Sequence, residues 1–253
     1  MTDNDLAGVG VLVTRPRRQA AELIEAISAR GGSAIGFPVI EILPRDRHAV
    51  VSDADELHDP DIAIFVSSNA VHHGLDFSAS ARTAVVGPAT AAALESTGRN
   101  VDIASADGYD SEHLLDQAAL QEVSGKHVRI IRGVGGRELL ADTLRDRGAV
   151  VDYLEVYERM APNYAAEQIA ELEQQWRAGA VNVVTVMSVE SLANLVSLLP
   201  EWCVAELGNT LLVTPAYRVI QEAWNQFPGI PTTLASGPQA SSMVDAILAS
   251  ART

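Results

Sequence analysis

The sequence is poor in features that mark secretion or membrane insertion. It contains a single cysteine, Cys203, which excludes an internal disulfide and fits a reducing environment. Its longest apolar runs, such as AIFV and VVTVM, are far too short to span a bilayer. The first residues, MTDNDLAG, are acidic and lack the apolar segment of a signal peptide. We therefore expect a cytoplasmic protein that does not associate with membranes.

Positive charge is also scarce. The chain has 18 Lys and Arg against 33 Asp and Glu, a formal net charge of −15. This imbalance argues against nucleic acid as a partner, because phosphate binding needs a basic face. An anionic small ligand remains compatible with the charge, because helix N-termini and loop amides bind anions locally.

Motifs for a metal, a cofactor or a nucleophile are missing. Six scattered histidines and one cysteine show no metal-ligand spacing, and no Gly-x-Ser-x-Gly segment is present. The loop RGVGGRE follows an apolar strand, but Glu138 stands where the third glycine of a dinucleotide fingerprint belongs. We expect neither a metal nor a bound nucleotide, and we interpret this loop as an amide-rich anion site beside Arg132 and Arg137.

What the chain does contain is a long internal repeat. Residues 9–41 align with residues 126–158 at an offset of 117, which places Arg15 on Arg132 and Gly31 on Gly148. Each copy reads as strand, Arg-containing loop, amphipathic helix, glycine and second strand. This order predicts parallel strands with a right-handed crossover. A period this long indicates duplication of a domain-sized unit and not a solenoid.

Two further pairs of segments extend the repeat. DIAIFVSSNAV matches VNVVTVMSVES with Ser68 on Ser188, and TAVVGPAT matches TLLVTPAY with Pro88 on Pro215. Three strand–turn–helix units thus occur twice, which predicts an α/β protein of two lobes with parallel sheets. Ligands of such sheets bind beyond the carboxyl ends of the strands, where these turns lie.

Two of these features have alternative interpretations. The segment Ser67-Ser68-Asn69 and the later Ser188 open helices, where their side chains can act as caps and the exposed amides can bind carboxylates. These two interpretations are compatible. Tyr157 ends a strand and is either a half-buried aromatic or a proton donor at a cleft edge.

The order of the motifs resembles the uroporphyrinogen-III synthase family. The resemblance covers residues 9–248 and rests on VLVTRP, FPVIEI, FVSSNAV, VVGPATAAAL, IRGVGGRELLADTLRDRGA, VYER and TPAYRVI, in that order. It implies a carbon–oxygen lyase of porphyrin and haem biosynthesis that uses no cofactor. Its reaction is the cyclisation of hydroxymethylbilane, a linear tetrapyrrole, to uroporphyrinogen III with inversion of ring D and loss of water. The resemblance also admits hand-over of this substrate from hydroxymethylbilane synthase.

The resemblance further implies the domain organisation. Two flavodoxin-like lobes, joined by a two-stranded β-ladder, hold the substrate in the cleft between them. The first lobe comprises residues 1–38 and 160–253, and the second comprises residues 39–159. The lobes are discontinuous, so each one is assembled from both copies of the repeat.

The resemblance also assigns roles to residues. Tyr157 in VYER matches the tyrosine proposed to assist departure of the hydroxyl, and Thr90 in VGPAT matches the cleft threonine. Together with the turns above, the substrate-binding candidates are Arg15, Ser67, Ser68, Asn69, Gly87, Thr90, Arg132, Gly133, Gly135, Arg137, Ser188, Val189, Thr214, Pro215 and Tyr217.

Two turns of the second copy depart from the family pattern. Thr214-Pro215-Ala216-Tyr217 stands where Gly-Pro-Thr-Thr or similar is usual, and Met187 stands where threonine is common. These changes motivate an alternative, a non-catalytic tetrapyrrole-binding or regulatory module on the same scaffold. A two-lobed ligand binder of the periplasmic type is disfavoured by the expected lack of a signal peptide.

Overall fold

The computed structural model describes residues 5–78, 80–105, 108 and 110–251. Residues 1–4, which belong to the segment considered above for a signal peptide, lie outside that part. The internal contacts divide the chain into two units. Unit 1 comprises Met1–Glu41 and Met160–Thr253, and unit 2 comprises Ile42–Arg159.

Unit 1 is built on a five-stranded parallel sheet with the strand order β11-β10-β9-β1-β2. Its strands are β1 (Gly10–Val13), β2 (Ser33–Gly36), β9 (Val183–Thr185), β10 (Leu211–Thr214) and β11 (Thr232–Leu234). Its helices are α1 (Arg17–Ala29), α8 (Ala166–Arg177), α9 (Val189–Leu198), α10 (Glu201–Leu207), α11 (Tyr217–Gln226) and α12 (Ala240–Ala251).

Unit 2 is built on a six-stranded sheet with the strand order β3-β8-β7-β4-β5-β6. The strands are β3 (Glu41–Pro44), β4 (Ile62–Phe65), β5 (Arg82–Val85), β6 (Ile103–Ala104), β7 (His127–Gly133) and β8 (Val150–Met160). The helices are α2 (Arg47–Asp55), α3 (Ser68–Gly74), α4 (Pro88–Glu95), α5 (Ser111–Leu115), α6 (Ala118–Gln121) and α7 (Leu139–Asp146), and a 3-10 turn follows α3 at Leu75–Ser78.

The two sheets have equivalent strand orders when they are read through the internal repeat. Strands β7 and β8 repeat β1 and β2, and β4 and β5 correspond to β9 and β10. In each sheet the repeat-equivalent strands lie in the order 2-1-3-4-5, the flavodoxin-like arrangement. The α/β class, the parallel sheets and the discontinuous assembly predicted from the sequence are therefore confirmed.

The chain passes between the units within two strands of the unit 2 sheet. One passage falls between Glu41 and Ile42 in β3, and the other between Arg159 and Met160 at the end of β8. The two strands are neighbours in the sheet, and the backbone N–H of Arg45, just after β3, donates to the carbonyl of Val156 at 3.1 Å. This pair corresponds to the ladder that the family resemblance implies.

The central strands are buried on both faces, as expected for parallel sheets covered by helices on both sides. In β4, Ile62 and Ile64 pack into one apolar cluster, while Ala63 and Phe65 pack into another on the opposite face. This alternation follows from the two-residue period of a strand. No helix in the described part of the chain is long and apolar enough to cross a membrane.

Equivalent glycines end the first helix of each copy. Gly31 after α1 has φ of +79° and Gly148 after α7 has φ of +86°, a region where side chains other than glycine are strained. The N–H of Gly31 donates to Ser28 at 3.0 Å, and that of Gly148 donates to Arg145 at 2.8 Å. The matching glycines of the repeat thus reflect one helix-terminating geometry used twice.

Gly10 provides a test of the unit 1 sheet. A Cβ on this residue would lie 1.8 Å from the carbonyl oxygen of Ala180, so Gly10→Ala forces the backbone apart. We expect the free energy of unfolding in urea to fall by about 1–3 kcal/mol or more. Gly36→Ala is the control, because its Cβ would meet Ile24 at an ordinary 3.6 Å. Equal losses in the two variants would contradict this account of β1.

Candidate functional site

A cavity of about 260 Å³ opens at the carboxyl ends of β4 and β7 in unit 2. Val66 and Ser67 line it from the turn after β4, and Arg132, Gly133 and the following glycine loop line it from β7. These two strands are the point at which the strand order reverses, where doubly wound sheets bind their ligands. The cavity therefore lies where the topology leaves room for a small molecule.

Tyr157 and Ser67 form a hydrogen-bonded pair in this cavity. The Tyr157 hydroxyl lies 3.0 Å from Ser67 Oγ, and its ring is 6% exposed. Ser67 Oγ also accepts the N–H of Ala70 at 3.1 Å, which makes Ser67 the N-cap of α3. The phenol is thus linked through one hydroxyl to the positive end of a helix dipole.

The close approach of the tyrosine ring requires a glycine on the neighbouring strand. A Cβ on Gly133 would lie 2.5 Å from Tyr157 Cε2, and the register of β7 and β8 shifts between Arg132 and Gly133. This irregularity pairs Gly133 with Tyr157 and aims the ring at the cavity.

Arg132 does not present a free charge to the cavity. Its guanidinium lies 3.2 Å from Glu138 Oε1 and 3.4 Å from Glu155 Oε1, and it stacks on the Tyr153 ring at 3.6 Å from the centroid. The same Glu155 oxygen accepts the N–H of Gly135 at 3.0 Å. The loop thus binds a carboxylate, as the glycine-rich sequence predicts, and in this structure the carboxylate is the chain's own.

Tyr153 and Glu138 complete the wall of the cavity. The Tyr153 hydroxyl donates to Glu138 Oε2 at 2.5 Å. Burial, followed by this hydrogen bond, raises the pKa of Tyr153 to about 12. The hydrogen bond from Tyr153, with that from Arg132, lowers the pKa of Glu138. Glu138 therefore remains ionised, and Tyr153 remains protonated, throughout the neutral range.

The other candidates of unit 2 surround the same edge of the sheet. Arg137 and Gly135 line the cavity on the exposed loop. Ser68 donates to the carbonyl of Ala89 at 3.0 Å, which ties the α3 turn to the α4 turn, where Gly87 is the N-cap. Asn69 is half-buried in the first turn of α3, whereas Thr90 is only 3% exposed.

In unit 1, Arg15 occupies the equivalent switch point, after β1 and beside β9. Its Nε is buried, and no described group hydrogen-bonds it. Burial lowers the pKa of its guanidinium, against a smaller opposing effect of Glu22. A buried, incompletely satisfied guanidinium is a suitable partner for a carboxylate.

The remaining candidates of unit 1 lie in its other two turns. Ser188 caps α9 by accepting the N–H of Ser191 at 3.1 Å, and Val189 begins that helix. The cap equivalent to Ser188 is Ser67 and not Ser68, so the sequence alignment of this pair was one residue out. The capping interpretation is confirmed for both.

The turn after β10 buries the threonine that the sequence offers as a substrate-binding residue. Thr214 is fully buried, and its hydroxyl accepts the N–H of Ala216 at 3.2 Å, so it shapes the turn from within. Pro215 is half-buried, and Tyr217 begins α11 with 55% of its surface exposed.

Sequence reasoning missed Glu155, Glu138 and Tyr153. Tyr153 and Glu155 lie four and two residues before Tyr157 on β8, and the register shift falls between Glu155 and Tyr157. The parallel pairing of β7 with β8 could have signalled Glu155, because its register places this residue opposite Arg132. In the sequence, Glu138 is notable only because it stands where a dinucleotide fingerprint has its third glycine.

Comparison with known proteins identifies close resemblances over nearly the whole chain. The family described as "Uroporphyrinogen-III synthase HemD" matches residues 21–245. A uroporphyrinogen-III synthase of Escherichia coli (strain K12) is 35% identical over 209 residues, which cover 77% of this chain and 81% of the relative.

Two solved structures share the fold. The uroporphyrinogen-III synthetase of Helicobacter pylori 26695 aligns with a TM-score of 0.64 at 14% identity, covering 95% of this chain and 99% of that one. A mutant uroporphyrinogen III synthase of the extremely thermophilic bacterium Thermus thermophilus aligns with a TM-score of 0.55 at 18% identity, covering 97% and 100%.

The Tyr153–Glu138 contact can be tested by titration. Tyr153→Phe removes the largest cause of the lowered Glu138 pKa, so we expect that pKa to rise toward its ordinary value. Carbon-detected NMR of the side-chain carboxyls measures it, with Glu138→Gln assigning the resonance. Tyr164→Phe, whose hydroxyl instead donates to the carbonyl of Pro38, is the control. An unmoved Glu138 pKa in Tyr153→Phe would show that the two side chains do not interact in solution.

Proposed function

Because the chain belongs to the uroporphyrinogen-III synthase family, we propose that it cyclises hydroxymethylbilane to uroporphyrinogen III, with ring D inverted and water lost. The observation that carries the proposal is the Tyr157–Ser67 pair, which faces a cavity lined by loop amides and an arginine. The chemistry requires the departure of a hydroxyl and the placement of an anionic substrate, and this cavity offers groups for both.

Tyr157 is the proton donor in this proposal. Ser67 Oγ accepts from Ala70 N–H and can donate to the Tyr157 oxygen, which leaves the phenolic proton directed at a ligand. As the carbon–oxygen bond of the substrate breaks, this proton passes to the departing hydroxyl, and water leaves. The resulting phenolate recovers a proton when the new ring loses one.

Glu155 acts as a stand-in for a substrate carboxylate. It accepts the Gly135 N–H and lies beside Arg132, the two contacts that an incoming carboxylate would make. We propose that the substrate displaces it from these groups. Arg132 and the Gly135 amide then hold the substrate carboxylate in place of Glu155, so that local groups bind an acidic ligand without a basic surface.

The size of the cavity limits what it holds. Pockets that bury drug-sized ligands measure roughly 300–1,000 Å³, and this one measures about 260 Å³. A linear tetrapyrrole exceeds that volume, so we assign to the cavity the reacting end of the substrate. Holding this end in one orientation favours attack by the substituted carbon of ring D over the spontaneous closure.

The other turn residues are assigned to the remaining carboxylates. Arg15 is half-buried and has a buried, unsatisfied Nε, and the amides at the start of α3, α4 and α9 point along favourable helix dipoles. Since Thr90 and Thr214 are buried, we assign their turns to backbone binding. The residues in this group are Arg15, Ser68, Asn69, Gly87, Thr90, Arg137, Ser188, Val189, Thr214, Pro215 and Tyr217.

The proposal includes the cellular setting. The unstable substrate favours hand-over from hydroxymethylbilane synthase in the cytoplasm, and a burst of isomer III without free intermediate in a coupled assay would support this route.

A single buried cysteine, whose thiol pKa is raised to about 11 by burial and by Glu173, suits reducing conditions and offers no reactive nucleophile.

The isomer ratio tests the function. The purified chain is supplied with hydroxymethylbilane made in situ, and the oxidised products are separated by chromatography. We expect isomer III to predominate over the isomer I of spontaneous closure. Isomer I alone, with tight tetrapyrrole binding, would instead indicate a non-catalytic binding module.

Tyr157→Phe tests the proton donor. General acid–base groups contribute roughly 10²–10⁴-fold, and the hydroxyl also leaves unaided, so we expect kcat to fall at least ~10-fold with KM nearly unchanged. Tyr164→Phe removes the same atom in unit 1 and is expected to retain full activity. A Tyr157→Phe variant with unchanged kcat would remove this residue from the mechanism.

Glu155→Gln tests displacement. Loss of the competing charge weakens the internal contact with Gly135 and Arg132, so KM should fall roughly 2- to 10-fold, the equivalent of about 0.5–1.5 kcal/mol for one hydrogen bond. Glu158→Gln makes the same charge change at an exposed position of β8 and should leave KM unaltered. If KM rises in Glu155→Gln while the protein stays folded, Glu155 supports the loop and is not displaced.

A further inference from the structure

One side-chain group of the described residues, distant from the cavity, has ligand types suited to a transition metal. A ring nitrogen of His58, a ring nitrogen of His127 and a carboxylate oxygen of Asp152 lie within 4.8 Å of one another. Two imidazoles and a carboxylate form a ligand set that zinc takes in proteins. No sequence motif signals this group, because its members are widely separated along the chain.

The group lies at the amino end of the strands, whereas the cavity lies at their carboxyl end. His127 is the first residue of β7 and Gly133 is its last, which separates them by roughly 20 Å at about 3.3 Å per residue. The register pairs Arg129 with Asp152, and Arg129 follows His127 by two residues on the same face. The histidine and the carboxylate are thus held by adjacent strands on one face of the sheet.

The surrounding hydrogen bonds fix the backbone around the ligands. The N–H of His127 donates to Asp61 Oδ2 at 2.8 Å, and the N–H of Asp61 donates to the His127 carbonyl at 2.8 Å. Arg129 donates to the His58 carbonyl at 2.9 Å. These contacts hold the segment before β4 against β7 and so bring His58 over His127, with the ring centroids 4.6 Å apart.

One ring nitrogen in this group of side chains is already unsatisfied. His127 Nδ1 is buried, and no described group hydrogen-bonds it. A buried polar atom without a partner is costly, and coordination of a cation would satisfy it. His58 is exposed and can rotate about its side-chain torsions, whereas His127 and Asp152 are half-buried.

We propose that His58, His127 and Asp152 form a zinc site at the amino edge of the unit 2 sheet. Tetrahedral coordination with bonds of about 2.0–2.2 Å requires ligand atoms about 3.3–3.6 Å apart, so the ligand atoms approach one another by at most ~1.5 Å on binding. Rotation of His58 out of its stack on His127 supplies this movement. The bound ion links the segment before β4 to strands β7 and β8.

Arg129 is the cation nearest to this site. Its guanidinium donates to the carbonyls of Phe77 and His58, each at 2.9 Å, so these hydrogen bonds are not made to Asp152. Asp152 and, more weakly, Asp59 attract the Arg129 charge. A zinc ion would therefore bind an Asp152 carboxylate that also interacts electrostatically with Arg129.

Calorimetry with Zn²⁺ alone on the full, tag-free chain tests the site. We expect one ion per chain and a higher Tm at saturating Zn²⁺, because the ion binds the folded state. Mg²⁺ should not compete, since it prefers oxygen ligands. Loss of a group that only hydrogen-bonds a metal ligand typically weakens metal binding roughly 10- to 100-fold. Loss of a ligand itself should cost at least as much, so we expect His58→Asn, His127→Asn and Asp152→Asn each to weaken Zn²⁺ binding by at least ~10-fold.

Matched histidine variants decide where the ion binds. His48→Asn and His72→Asn change histidines on α2 and α3 and should leave the Zn²⁺ affinity unaltered. On titration with Zn²⁺, the imidazole NMR signals of His58 and His127 should shift, and those of the other histidines should not. Absence of binding, or binding that survives His127→Asn, overturns the proposal. These measurements do not involve the isomer assay, so the site stands or falls independently of the proposed function.

Discussion

The structure depends on the pairing of strands from different copies of the repeat at the centre of each sheet. In unit 1, β1 pairs with β9 and aligns Val11 with Val183, and in unit 2, β4 pairs with β7 and aligns Ile62 with Val128. A helical crossover joins β1 to β2 and β7 to β8. In contrast, no short connection joins β1 to β9 or β4 to β7. The order of strands reverses at these pairs, so the pairings that unite the copies also create the openings in which ligands bind.

Electrostatics at the unit 2 opening depends on local contacts. The chain carries a formal charge of −15, and the arginine of the glycine loop already contacts two glutamates. The internal carboxylates keep a desolvated guanidinium paired, and a buried charge without a partner would be costly. Unit 1 presents the contrasting case, because Arg15 has a buried Nε that no described group satisfies. The two equivalent arginines of the repeat thus share a position and differ in their partners.

Much of the fold could be predicted from sequence, because strand and helix periods and glycine stops are local properties. The family resemblance, and not the repeat alone, implied the exchange of strands, and the caps at Ser67 and Ser188 followed from residue type. Side-chain partners could not be predicted in this way. Glu155 meets Gly135 only because a register shift after Arg132 brings them together, and Thr214 is buried by the turn it forms. Such contacts depend on backbone geometry that no single segment specifies.

The discontinuity of unit 1 has a consequence for the order of folding during synthesis. Unit 2 is one continuous stretch, Ile42–Arg159, whereas β1 must wait for β9, which begins only at Val183. At about 5–20 residues per second, the 26 residues from Met160 to the end of β9 at Thr185 take about 1–5 s to be synthesised. For that time β1 and β2 have only each other to pair with, and an apolar strand edge is exposed. The nascent chain therefore passes through a period in which unit 2 can be native and the N-terminal segment is open to chaperones.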